Sequence, residues 1–87
     1  MNNEPGEILL KIRNRENIIF DGLVSSISSV NDTGKFDILP EHANFISLIK
    51  DVITIRDVGG KTREIKIGSG ILRVLNNRAS IYLGIRG

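Results

Sequence analysis

Apolar and polar residues alternate with a period of two along most of the chain, the spacing of strands with one face turned inward. Ile8, Leu10 and Ile12 share one face, and Lys11 and Arg13, with Leu9, the other. Between Leu23 and Val30 serines alternate with Val24, Ile27 and Val30, and the alternation slips once. Ile53 and Ile55 alternate with Thr54 and Arg56, and Ile65 and Ile67 with Glu64 and Lys66. Ala79, Ile81, Leu83 and Ile85 share a face opposite Ser80 and Tyr82. Polar or glycine-bearing breaks divide these runs. Asn14 to Asn17 is a polar break, and Asp21-Gly22 and Asn31-Asp32-Thr33-Gly34 are expected turns because such residues tolerate positive φ. Val58-Gly59-Gly60-Lys61 predicts a type I′ hairpin, and Asn76-Asn77 a second such turn. Many short strands with turns between them predict an all-β sandwich or barrel.

Pro40 to Ile49 is ambiguous. Pro40 suits a first helical turn, and Ala43, Ile46 and Ile49 recur at three-residue spacing, with Phe45 and Leu48 beside them. A loop followed by a strand fits the same residues. Gly68-Ser69-Gly70 resembles the start of a phosphate loop, but Ile71 to Leu75 reads as a strand rather than a helix N-terminus. Its glycines are therefore expected to permit a bulge or bend.

Composition narrows the class. With 87 residues, 40% hydrophobic and 25% charged, the chain is one small folded domain. Residues 1–6 read as a tail and 7–87 as the domain. No apolar run approaches the ~20 residues needed to cross a bilayer, and the first residues lack the features of a secretory signal. There is no cysteine to form a disulfide framework. Twelve basic and ten acidic residues give a net charge of +2, with the signs interspersed. The nearest approach to a basic stripe is Lys61, Arg63 and Lys66, interrupted by Glu64. His42 is the single histidine, no serine sits in a nucleophile elbow, and the carboxylates lack calcium-loop spacing. No catalytic, metal or cofactor site is expected. The four aromatics are dispersed, which argues against the rival reading of an OB-like barrel binding single-stranded nucleic acid.

Gly34-Lys-Phe-Asp-Ile-Leu-Pro-Glu-His-Ala43 resembles the hallmark stretch of the ATP synthase epsilon family, G-E-[FL]-G-I-L/Y-P-G-H-A-P. Three further elements are similar and in order: Ile19 to Val24, Gly68 to Val74, and Asn76 to Ile81. The resemblance implies a two-sheet β-sandwich of roughly ten short strands, with Pro40 to Ala43 in a loop and Phe45 to Ile49 extended. It implies a non-enzymatic rotor part that links the gamma subunit to the c ring, peripheral on the cytoplasmic face of the bacterial inner membrane. By the same resemblance Asn31, Asp32, Thr33, Gly34 and Lys35 face the c ring, and His42, Phe45, Ser47 and Ser80 face gamma. Lys35 stands where the family has Glu, Asp37 and Glu41 replace glycines, and Asn44 replaces Pro. The helical hairpin that follows this domain in most members has no counterpart before Gly87. Neither its inhibitory role nor ATP binding is therefore expected of these residues. Leu9, Val30 and Phe45 are candidates either for partner surfaces, as apolar residues beyond one core face, or for sealing the ends of the sandwich.

Overall fold

Each period-two run becomes a strand in the computed structural model, which describes residues 6–84. The strands are β1 (Ile8–Arg13), β2 (Ile18–Asn31), β3 (Gly34–Ile38), β4 (Phe45–Asp57), β5 (Thr62–Leu75) and β6 (Arg78–Leu83). Among the described residues no helix forms, and Pro40–Ile49 resolves into a loop followed by the start of β4. The strands pair in the order β1-β6-β5-β4-β2-β3, and β1 also pairs with β2. All pairs are antiparallel except β1 with β6.

The three long strands serve two sheets. The first sheet joins the N-terminal parts of β4 and β2 to the C-terminal part of β5, with β6 and β1 between. The second joins β3 to the remaining parts of β2, β4 and β5. The chain is thus a β-sandwich, and strands expected to be short and separate run continuously through both layers.

Between the layers lie Ile8, Leu10, Ile12, Val24, Ile27, Ile49, Ile53, Ile55, Leu72 and Ile81, all buried. All but Ile49 and Leu72 are inward positions read from the alternation, and the β-branched isoleucines and valine among them suit a pleated surface. Strands change sheet at register shifts, which fall between Val24 and Ser26, between Ser28 and Val30, and between Lys50 and Val52. Such bulges bend a strand and leave peptide groups without ladder partners. Serines take those partners up. Ser29 is buried and its hydroxyl donates to the Val52 carbonyl at 2.7 Å. The Ser25 hydroxyl lies 3.2 and 3.3 Å from the carbonyls of Arg56 and Asp57. The slip in the Leu23–Val30 pattern is therefore the sequence trace of two bulges.

Two expectations are corrected. Asp21-Gly22 is not a turn: both residues lie inside β2, opposite Lys11 and Leu10. The Phe20 ring covers Gly22, 3.5 Å from where a Cβ would sit, and supplies the packing the glycine lacks. The hairpin after β4 is not type I′, because that turn requires positive φ at both central residues and only Gly60 has it. The Asp57 carboxylate instead accepts from the amides of Gly59 and Lys61, at 2.9 Å each. By contrast Asn76 and Asn77 adopt φ of 50° and 60°, as a type I′ turn demands. Gly68-Ser69-Gly70 lies within β5 at the bend. Ile85, assigned above to the last strand, and all of the expected tail but Gly6 lie outside the described residues.

Candidate partner-contact surfaces

The hairpin between β2 and β3 is built by Asn31. Its side-chain carbonyl accepts from the Thr33 amide at 2.9 Å and the Thr33 hydroxyl at 2.7 Å, and Gly34 follows at a φ of 118°. This is an Asx turn, in which a short side chain replaces a peptide carbonyl. Asp32 and Thr33 project at the tip, and Lys35 is exposed on β3 opposite Val30. Lys50 reaches Asp32 at 3.8 Å, an exposed pair that contributes little to stability. The five residues expected to face the c ring form one continuous protrusion.

The residues expected to face gamma do not form one patch. Leu39 accepts from the His42 amide at 3.1 Å, which closes a turn with Glu41 at a φ of 65°. The loop is tied to the β5–β6 hairpin: Asn77 accepts from the Glu41 amide at 2.7 Å and donates to the Glu41 carboxylate. Asn44 accepts from the Asn76 amide at 3.2 Å. The exposed His42 ring is held by Nδ1, which donates to the Ala43 carbonyl at 2.8 Å. It meets Phe45 edge-on at 5.7 Å, and Phe45 meets Phe36 at 5.5 Å. Phe45 is half-buried against the core, and Ser47, on the same side of β4, accepts from the Asn31 amide group at 3.2 Å. His42, Phe45 and Ser47 therefore border the β2–β3 hairpin. Ser80 is exposed on the outer face of the first sheet, where inward neighbours Ala79 and Ile81 are buried.

That outer face went unrecognised in the sequence. Register aligns Ile46, Arg73, Ser80 and Lys11 in one row across four strands. The next row runs Leu48, Ile71, Tyr82 and Arg13. Ile46 and Leu48 are 70% and 65% exposed and Tyr82 is 42% exposed, whereas Leu9, Val30 and Phe45 are partly covered. The basic residues Lys61, Arg63 and Lys66 do not gather: Lys61 lies between the turn at 58–60 and β5, and Arg63 turns to the rim of the core and lies 5.8 Å over the Phe20 ring. Phe20, Phe36 and Phe45 pack against the core and so offer no open stacking platform. Among the described residues no three metal-ligating side chains gather.

A family profile described as "ATP synthase, Delta/Epsilon chain, beta-sandwich domain" matches residues 7–83. The ATP synthase epsilon chain of Clostridium botulinum (strain Eklund 17B / Type B) is 36% identical over 75 residues, covering 85% of this chain and 56% of the relative. That of a Nitratiruptor species is 39% identical over 72 residues, covering 82% and 56%. The chain spans about half the length of the curated relatives it matches. The fold is shared with a chain of the Euglena gracilis mitochondrial ATP synthase, in a structure of OSCP, F1 and c-ring. The TM-score is 0.85 at 20% identity, covering 94% of this chain and 53% of that one. A chain of the Tetrahymena thermophila mitochondrial ATP synthase central stalk and c-ring gives a TM-score of 0.74 at 16% identity, covering 98% and 67%.

Proposed function

The chain belongs to the ATP synthase delta/epsilon β-sandwich family, and from that premise we propose that it is a non-catalytic rotor element of an F-type ATP synthase. It joins the gamma subunit to the c ring, so that ring rotation driven by ion flow reaches gamma. It sits at the cytoplasmic face of the bacterial inner membrane, held there through the complex. The observation that carries this reading is the family match over the whole sandwich, residues 7–83. Geometry supports it, because the protrusion at Asn31–Lys35 and the face bearing Ser80 give two separate adhesive regions. The first is assigned to the c ring. The second, with the rim formed by His42, Phe45 and Ser47, is assigned to gamma.

The test is recovery of the assembly. The tagged chain, expressed in its own host and purified in mild detergent, should bring down gamma and the c ring. A photo-crosslinker at position 35 should label the c subunit, and one at position 80 should label gamma. Recovery without gamma, under conditions that keep the rest of the ATP synthase intact, would sink the proposal.

A further inference from the structure

Strand pairing concentrates charge that the linear sequence disperses. Lys11, Arg73 and Arg78 lie on the adjacent strands β1, β5 and β6, all exposed and all on the outer face of the first sheet. Among the described residues no carboxylate of this chain forms an ion pair with any of them; the salt bridge found there joins Lys50 to Asp32. Asp21 stands opposite Lys11 in the register but makes no such bridge. Arg73, Arg78 and Ser80 border a shallow groove, and the exposed side chains of Ile46 and Leu48 continue the surface beside it. Cations set among exposed branched aliphatic side chains on a flat strand face describe half of an interface, in which apolar contact is ringed by charge awaiting its complement.

We propose that this face docks an acidic, apolar protein surface, and that Arg73, Arg78 and Lys11 select the partner by charge. The inference rests on the rotor reading, in which that surface belongs to gamma. A second copy of this chain does not satisfy the face. A two-fold contact would set its cations against their own copies, and like charges across an interface are repulsive. Single-stranded nucleic acid would supply anions, but Ile46 and Leu48 cannot stack on bases, and Tyr82 is the one exposed aromatic near them.

The experiment measures binding of the full chain to purified gamma across a salt series, for wild type and for Arg73→Glu, Arg78→Glu, Leu48→Asp and Arg56→Glu. Arg56 is exposed on the second sheet and serves as the control. Arg73→Glu and Arg78→Glu are each expected to weaken binding about tenfold at low salt and to flatten its salt dependence. Leu48→Asp should weaken binding at all salt concentrations, and Arg56→Glu should match wild type. Circular dichroism of each variant establishes that it is folded. If wild type binds gamma and the Arg73 and Arg78 variants behave like Arg56→Glu, charge selection is wrong while the rotor reading stands. If wild type does not bind gamma at all, the rotor reading falls. Wild-type binding to single-stranded DNA or anionic vesicles at physiological salt, lost in Arg73→Glu, would assign the face to a different anion and overturn the proposal.

Discussion

Two glycines only two positions apart show how differently one fold can constrain similar residues. A Cβ on Gly70 would lie 2.8 Å from the Tyr82 carbonyl oxygen and 2.9 Å from the Leu83 side chain, whereas a Cβ on Gly68 would meet nothing within 4 Å. Gly70→Ala should therefore cost about 1–3 kcal/mol, the usual penalty when a packed site must shift. Gly68→Ala should change stability by less than about 0.5 kcal/mol in urea denaturation. Equal effects would show that β5 and β6 separate more easily than their pairing implies. Phe45 poses a related question, because an aromatic in a partner motif can serve the core or the interface. Its contacts with Phe36 and the core place much of the ring inside the fold. Phe45→Ala should cost about 2 kcal/mol of folding free energy, less than the 3–5 kcal/mol typical of a fully buried Phe. Leu48→Ala, nearly open to solvent, should cost little folding stability. A melting temperature unchanged by Phe45→Ala would return that ring to the list of pure contact residues.

Among the elements, the turns show what a sequence can and cannot disclose. Asn76-Asn77 was legible because two residues tolerant of left-handed backbone leave few alternatives, and the structure places both there. Asp21-Gly22 carries the same local signal yet continues a strand, since pairing with β1 and the cover of Phe20 outweigh it. The inward alternation gave most of the core but not Ile38, Ile49, Leu72 or Val74, which lie in segments where no alternation is read. Whether strands were short pieces or long bent ones was hidden, because bulges depend on partners distant in sequence. The outer face was hidden for the same reason: Lys11, Arg73 and Arg78 become neighbours only through register. The clasp between the 39–44 loop and the β5–β6 hairpin also depends on such distance, with Asn77 bonding Glu41 across 36 positions. Asn77→Gly keeps the left-handed backbone and removes both bonds to Glu41, leaving the one between Asn44 and the Asn76 amide. Amide exchange at Glu41 should accelerate at least about tenfold, the equivalent of a net hydrogen bond near 1.4 kcal/mol, while exchange in the core strands changes far less. Unchanged exchange at Glu41 would mean the loop is ordered by its own turn.

At the scale of the whole molecule, the continuity of β2, β4 and β5 through both sheets bears directly on the proposed rotor role. Transmitting torque requires that the Asn31–Lys35 protrusion and the face bearing Ser80 move as one body. A sandwich of separate short strands could shear between its layers. Here Ile27, Ile53 and Ile55 of the second sheet pack in one core with Leu10, Leu72 and Ile81 of the first. Three of the strands that carry them, β2, β4 and β5, cross between layers with no intervening loop. Unfolding one sheet must strip the other of its cover and of its strand connections, so the two should melt together. Tyr82, the chain's one tyrosine in a sequence without tryptophan, reports on the first sheet by fluorescence. Amide exchange of β3 and the N-terminal part of β5 reports on the second. We expect both probes to give one denaturation midpoint. Ile53→Ala, which removes a fully buried side chain beside the bulge of β4, should lower both readings together by about 2–5 kcal/mol. Should the fluorescence midpoint stay fixed while the second sheet opens earlier, the layers are independent, and a rigid link between ring and gamma would have to come from the partners instead.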